Sequence, residues 1–171
     1  MRKSKIDPIV LLLGCTKELM PDPMYAVSDD DIIGRIDSLS YVHEKDADGR
    51  SLLMYAALYN RNVVADYLIS LGMDIHAKDK NHYTALHFAV QSESVNVVET
   101  LLKAGADVNA VDIYGNSPLM RCPNTALYIL ELLLKYGANP WQKNEYDMSA
   151  ADVFATDNTI MSLFENYDEK V

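Results

Sequence analysis

Only two cysteines occur in 171 residues, and Cys15 and Cys122 lie far apart with no second cysteine or histidine at metal-ligand spacing. A disulfide scaffold and a cysteine-based zinc site are therefore excluded. Thiols used this sparingly behave as small buried hydrophobes in a reducing compartment, and a cytoplasmic location is expected. No apolar run approaches the roughly 20 residues of a membrane span, so no membrane association through a span is expected. Basic residues are in deficit, 15 against 25 acids, for a net charge of −10. Phosphate recognition needs a basic footprint, which removes nucleic acid from the expected partners and favours a basic protein. The P-loop, G-x-G-x-x-G, H-E-x-x-H, G-x-S-x-G and C-x-x-C patterns are all missing. The four histidines (His43, His76, His82, His87) show no fixed ligand spacing, and a site from His76, Asp79 and His82 has no second shell to orient it. No catalytic residue, metal site or cofactor is expected, and the chain is not expected to be an enzyme.

What the chain does have is a 49% hydrophobic content and a repeated plan. Residues 79–112 begin at Asp79, pass through a short turn into Thr84-Ala85-Leu86-His87-Phe88-Ala89, and continue along a helical stripe containing Val97, Val98, Leu101 and Leu102. They end at Gly105-Ala106-Asp107-Val108-Asn109-Ala110 before Asp112, 33 residues after Asp79. One period earlier, Asp46 opens the same sequence of events. Each unit is a turn, a short alanine-bearing helix and a second helix, and neither helix can bury its apolar face alone, so the units must stack.

These features resemble the ankyrin repeat. The resemblance implies an all-α solenoid of stacked helix-turn-helix units with short β-turn or hairpin loops, binding other proteins rather than catalysing. It places full repeats at 46–78, 79–111 and 112–143, a degenerate N-terminal cap at 1–45 and a C-terminal cap at 144–171, in one domain over 1–171. Departures from the pattern are informative. His82 and Asp147 stand where Gly49 and Gly115 occupy a position needing positive φ, so mild strain is expected at His82. In the third unit Cys122-Pro123 replaces Ala-Ala, and Gly137 follows Gly105 by 32 residues, so a residue is lost and the first helix should shorten or become a loop. Ser28 and the aspartates after it read as a helix start rather than a calcium loop.

Residues 1–15 carry two readings. Basic residues, an apolar run and Cys15 are similar to a lipid-anchor signal, but the run at 9–13 is short for one. Asp7 as N-cap and Pro8 at the first helical position instead predict a capping helix ending near Met20.

Carrying the family's contact positions onto this chain implies a partner-binding set of Arg50, Tyr59, Lys80, Asn81, Tyr83, Gln91, Ile113, Tyr114, Asn116, Glu145, Tyr146 and Met148. Tyr59, Tyr83, Tyr114 and Tyr146 fall in successive units, and tyrosine is enriched at interface hot spots. The competing reading packs some of these tyrosines between neighbouring turns. Seven acids against Lys170 alone fill 144–171, either a solvated cap face or part of the binding surface. A monomer that occupies a partner's surface is expected. An immunity protein neutralising a basic toxin and a secreted effector acting on a host protein are the two sharper versions.

Overall fold

The computed structural model describes residues 28–37 and 42–168. Its elements are α1 (Asp29–Asp37), α2 (Leu52–Leu58), α3 (Asn62–Ser70), α4 (Ala85–Gln91), α5 (Val95–Lys103), a 3-10 turn (Leu119–Arg121), α6 (Leu127–Lys135), α7 (Ala150–Val153) and α8 (Asn158–Asp168). No strand occurs among the described residues. The 7–20 helix and the lipid-anchor reading at Cys15 lie outside them. Among the described residues no helix is long and apolar enough to cross a membrane.

The helices form two layers. An inner row runs α2, α4, the 3-10 turn and α7, each packed on the next, while an outer row runs α1, α3, α5, α6 and α8 in the same way. The seven-residue inner helices are too short to persist alone. Alanines 56, 57, 65 and 89 are wholly buried and allow close approach, while Leu53, Leu68, Leu86, Leu101, Leu130 and Phe164 fill the layers between helices. Each inner helix starts at a hydroxyl residue in extended conformation, Ser51, Thr84 or Ser149. At the last of these the Asp152 carboxylate also accepts from the Ser149 amide at 2.8 Å. Ser28 does the same service for α1, accepting from the Asp31 amide at 3.1 Å, and Asp29 ties α1 to the stack through Arg61 at 3.2 Å.

The irregular third unit has the expected consequence. Pro118 enters helically, three residues form a 3-10 turn, and Cys122 turns extended before Pro123. Pro123 has no amide hydrogen to continue the ladder. The outer helix α6 survives because it does not need that ladder; Ile129, Leu130 and Leu133 still pack inward.

The third residue after each repeat-opening Asp or Asn has positive φ: Gly49 (81°), His82 (60°), Gly115 (79°) and Asp147 (60°). A side chain is tolerated at His82 and Asp147 at some strain cost. Gly115 has less room. A Cβ there would lie 2.9 Å from the Glu145 nitrogen, whereas at Gly49 the nearest atom, the Lys80 nitrogen, is 3.4 Å away. The turns close up most tightly where the unit has lost a residue.

Candidate partner-binding surface

The exposed turn tips are organised by the residue that opens each unit. Oδ1 of Asp46 accepts from the amides of Asp48 and Arg50, both at 2.8 Å. Asp79 does so for Asn81 and Tyr83, and Asp112 for Tyr114 and Asn116. In the cap Asn144 takes the role, accepting from Tyr146 and Met148 at 2.9 and 3.0 Å. With the turn folded round that oxygen, the first two residues after it are pushed outward. The tips are then tied in a row by Lys80 N–H to Asp48 C=O (2.8 Å), Ile113 N–H to Asn81 C=O (3.0 Å) and Glu145 N–H to Tyr114 C=O (3.0 Å). Lys45 and Lys78 each donate to a carbonyl of the following unit, Lys78 and Val111 respectively, both at 3.2 Å.

The second carboxylate oxygen meets the inner helix. Asp46 Oδ2 accepts from the Tyr55 hydroxyl at 2.5 Å, and Asp112 Oδ2 accepts from Arg121 at 2.5 and 3.1 Å. Phe88 holds the equivalent place beside Asp79 and has nothing to donate; Arg50 from the preceding turn approaches instead, with Nε 3.8 Å from Asp79 Oδ2 and its guanidinium 5.6 Å above the Phe88 ring. The next step reverses the partners, with the Arg121 guanidinium 5.6 Å from the Tyr83 ring. Where the turn offers the cation the helix offers the ring, and where the turn offers the ring the helix offers the cation. Tyr83 also stacks on His87 (5.2 Å, 24°) and meets Phe88 edge-on (5.6 Å).

Three buried groups titrate away from their ordinary ranges. Burial would raise the Asp112 carboxyl, but the Arg121 guanidinium and the amides of Asn116 and Tyr114 outweigh it and hold it below the usual carboxylate range. Burial lowers the His87 imidazole to about 4. Its Nδ1 lies against the Thr84 amide and hydroxyl (3.2 and 2.9 Å), and its Nε2 against the Asn116 carbonyl (3.2 Å), which assigns a neutral ring carrying its proton on Nε2. Burial also pushes the Cys122 thiol up to about 12, so it stays protonated and inert at neutral pH.

The twelve implied contact residues divide accordingly. Tyr59, Lys80, Asn81, Gln91, Ile113, Tyr114, Glu145, Tyr146 and Met148 are exposed. Arg50, Tyr83 and Asn116 are half-buried and engaged internally, Asn116 donating to Asp112 and accepting from Asn144 at 2.7 Å. Of the four tyrosines, Tyr83 packs between turns, while Tyr114 and Tyr146 remain open with ring centroids 6.3 Å apart. Tyr146 is 67% exposed, Tyr114 46%, Ile113 42% and Met148 41%. Sequence reasoning missed Tyr55, Phe88 and Arg121. The signal was the 38-residue interval linking Arg50 to Phe88 and Tyr83 to Arg121, a cation and a ring each time. A second exposed set, Leu127, Tyr128 and Tyr136, lies on α6 and its C-terminal end, in the outer row.

Comparison with known proteins agrees with this architecture. The family model described as ankyrin repeats (3 copies) matches residues 23–112. An ankyrin repeat protein of fowlpox virus is 37% identical over 87 residues, covering 49% of this chain and 20% of the viral protein. The transient receptor potential cation channel subfamily A member 1 of Homo sapiens is 36% identical over 80 residues, 47% of this chain and 7% of the channel. The B-cell lymphoma 3 protein homolog of Mus musculus is 41% identical over 76 residues, 43% of this chain and 17% of that protein. The chain thus spans a fifth or less of the length of each of these relatives. With the stacked two-helix units, the aspartate-opened turns and a matching model over more than half its length, the chain belongs to the ankyrin-repeat family.

Proposed function

We propose that this chain is a non-enzymatic protein-interaction module that holds a partner protein against its turn tips and the adjoining face of the inner helices. The observation that carries the reading is the row of exposed Ile113, Tyr114, Tyr146 and Met148 on consecutive tips. Large apolar side chains at such positions add little to the fold, and aromatic anchors of this kind dominate interface energies. The backbone hydrogen bonds between tips hold the row in place before binding, so little ordering cost remains. The net charge of −10 favours a basic partner, for encounter rate more than for final affinity. That same charge supports the sharper version in which the chain inhibits a basic protein, such as a toxin, by covering its surface.

Capture from the native source at low salt tests the proposal. A retained protein should be lost about tenfold or more when Tyr114 and Tyr146 are both replaced by alanine, and its retention should fall as salt rises. Tyr128→Ala in the outer row should leave it unchanged. Retention that ignores the tip substitutions, or that disappears with Tyr128→Ala, rejects this surface.

A further inference from the structure

We propose that Tyr114, Tyr146 and the Glu145 carboxylate form a receiving site for one arginine side chain of the partner protein. The inference rests on the partner-binding reading above and narrows it to a chemical class. This fold already places a guanidinium beside a ring and a carboxylate twice within its own chain. Arg50 lies over Phe88 beside Asp79, and Arg121 lies over Tyr83 against Asp112. The third step lacks the cation, the ring and the acid at the equivalent positions, with Asn144 in place of the buried aspartate. Asn116 stands at the turn position and Val153 at the inner-helix position, and neither is charged.

Rings stand instead on the outward tips, where Tyr114 and Tyr146 are tilted 32° to one another and open to solvent. Their separation sits toward the wide end of aromatic contact distances, leaving ring surface to cover. Glu145 precedes Tyr146 and ties its tip to Tyr114 through its N–H, which donates to the Tyr114 carbonyl at 3.0 Å; it is exposed, and its carboxylate has no hydrogen-bond or ion-pair partner among the described residues. The nearest lysine in sequence, Lys143, is engaged by Asp147 at 2.6 Å. Residues 144–168 contain six acids and no lysine or arginine, so a cation arriving here meets attraction and no competitor from that segment. Arginine suits the site better than lysine. A planar guanidinium can lie flat on a ring while donating from its edge to a carboxylate, whereas an ammonium satisfies one demand at the expense of the other.

The test is an amide-resolved NMR titration of the full chain with N-acetyl-arginine methylamide. The same titration is run with the citrulline analogue, which keeps the shape and loses the charge, and with the lysine analogue. Saturable shifts should centre on Tyr114, Glu145 and Tyr146, with affinity about three- to fivefold above that for citrulline and above that for lysine. Tyr146→Ala should abolish them and Glu145→Gln should weaken them, the spectrum itself reporting that each variant is folded. Shifts centred elsewhere, equal response to citrulline, equal binding of lysine, or indifference to Tyr146→Ala would each overturn the assignment. A partner captured through the tips together with a silent arginine titration removes this site alone. The expected titration together with tip variants that leave capture unchanged removes the broader reading and, with it, the assignment of the bound arginine to the partner.

Discussion

Replacing Asp112 with alanine should lower the unfolding free energy by about 3–5 kcal/mol, with the urea midpoint falling and the slope unchanged. The Asp112 side chain is fully buried, and it accepts from the Tyr114 and Asn116 amides and from Arg121. Truncation leaves the two amides short of an acceptor and strands Arg121 above Tyr83 with no counter-charge. Arg121 is partly exposed, so solvent relieves some of its share, which sets the lower end of the range. Asp112→Asn should cost only about 1–2 kcal/mol, because an amide oxygen can still fold the turn and only the charge is lost. Asn144 serves the fourth turn in that manner. Equal losses for the two variants would mean that the ion pair, and not the turn, dominates.

Stability should also fall steeply on mild acidification, and His87 supplies the slope. The folded-state imidazole titrates at about 4, against 6.5 for the unperturbed group. Between those values the unfolded chain binds a proton that the folded chain refuses, so the unfolding free energy drops as the pH falls through this window. The contribution is fully present above pH 6.5, and its loss amounts to about 3 kcal/mol by pH 4, where it levels off. Asp112, held below the usual carboxylate range, loses its contribution at lower pH still, so the two effects separate. Urea unfolding at several pH values, wild type against His87→Gln, isolates the histidine. The variant should be less stable near neutrality and should lack the slope between pH 6.5 and 4.

Much of this architecture could be read before any coordinates. Aspartate, a positive-φ residue, a hydroxyl and a leucine recur at fixed offsets because each performs one local task in each turn, and local tasks leave local marks. The break at Cys122-Pro123 was equally legible, since a missing amide hydrogen acts within its own helix. The interior positions of Arg50, Tyr83 and Asn116 were less so. What Tyr83 does depends on the residue that the next unit presents 38 positions later, and with Arg121 there the tyrosine is held down. Tyr114 stands two residues after its opening aspartate rather than four, at the outward position Asn81 holds one unit earlier, and stays open. Residue type therefore did not separate contact residues from packing residues in these three units; place within the turn did.

The most direct measurement replaces Tyr146, and separately Tyr128, with a photo-crosslinking phenylalanine derivative and irradiates the chain in its native source. A covalent adduct to one partner protein is expected from position 146 and none from position 128. Adducts from position 128 with none from 146 would contradict it.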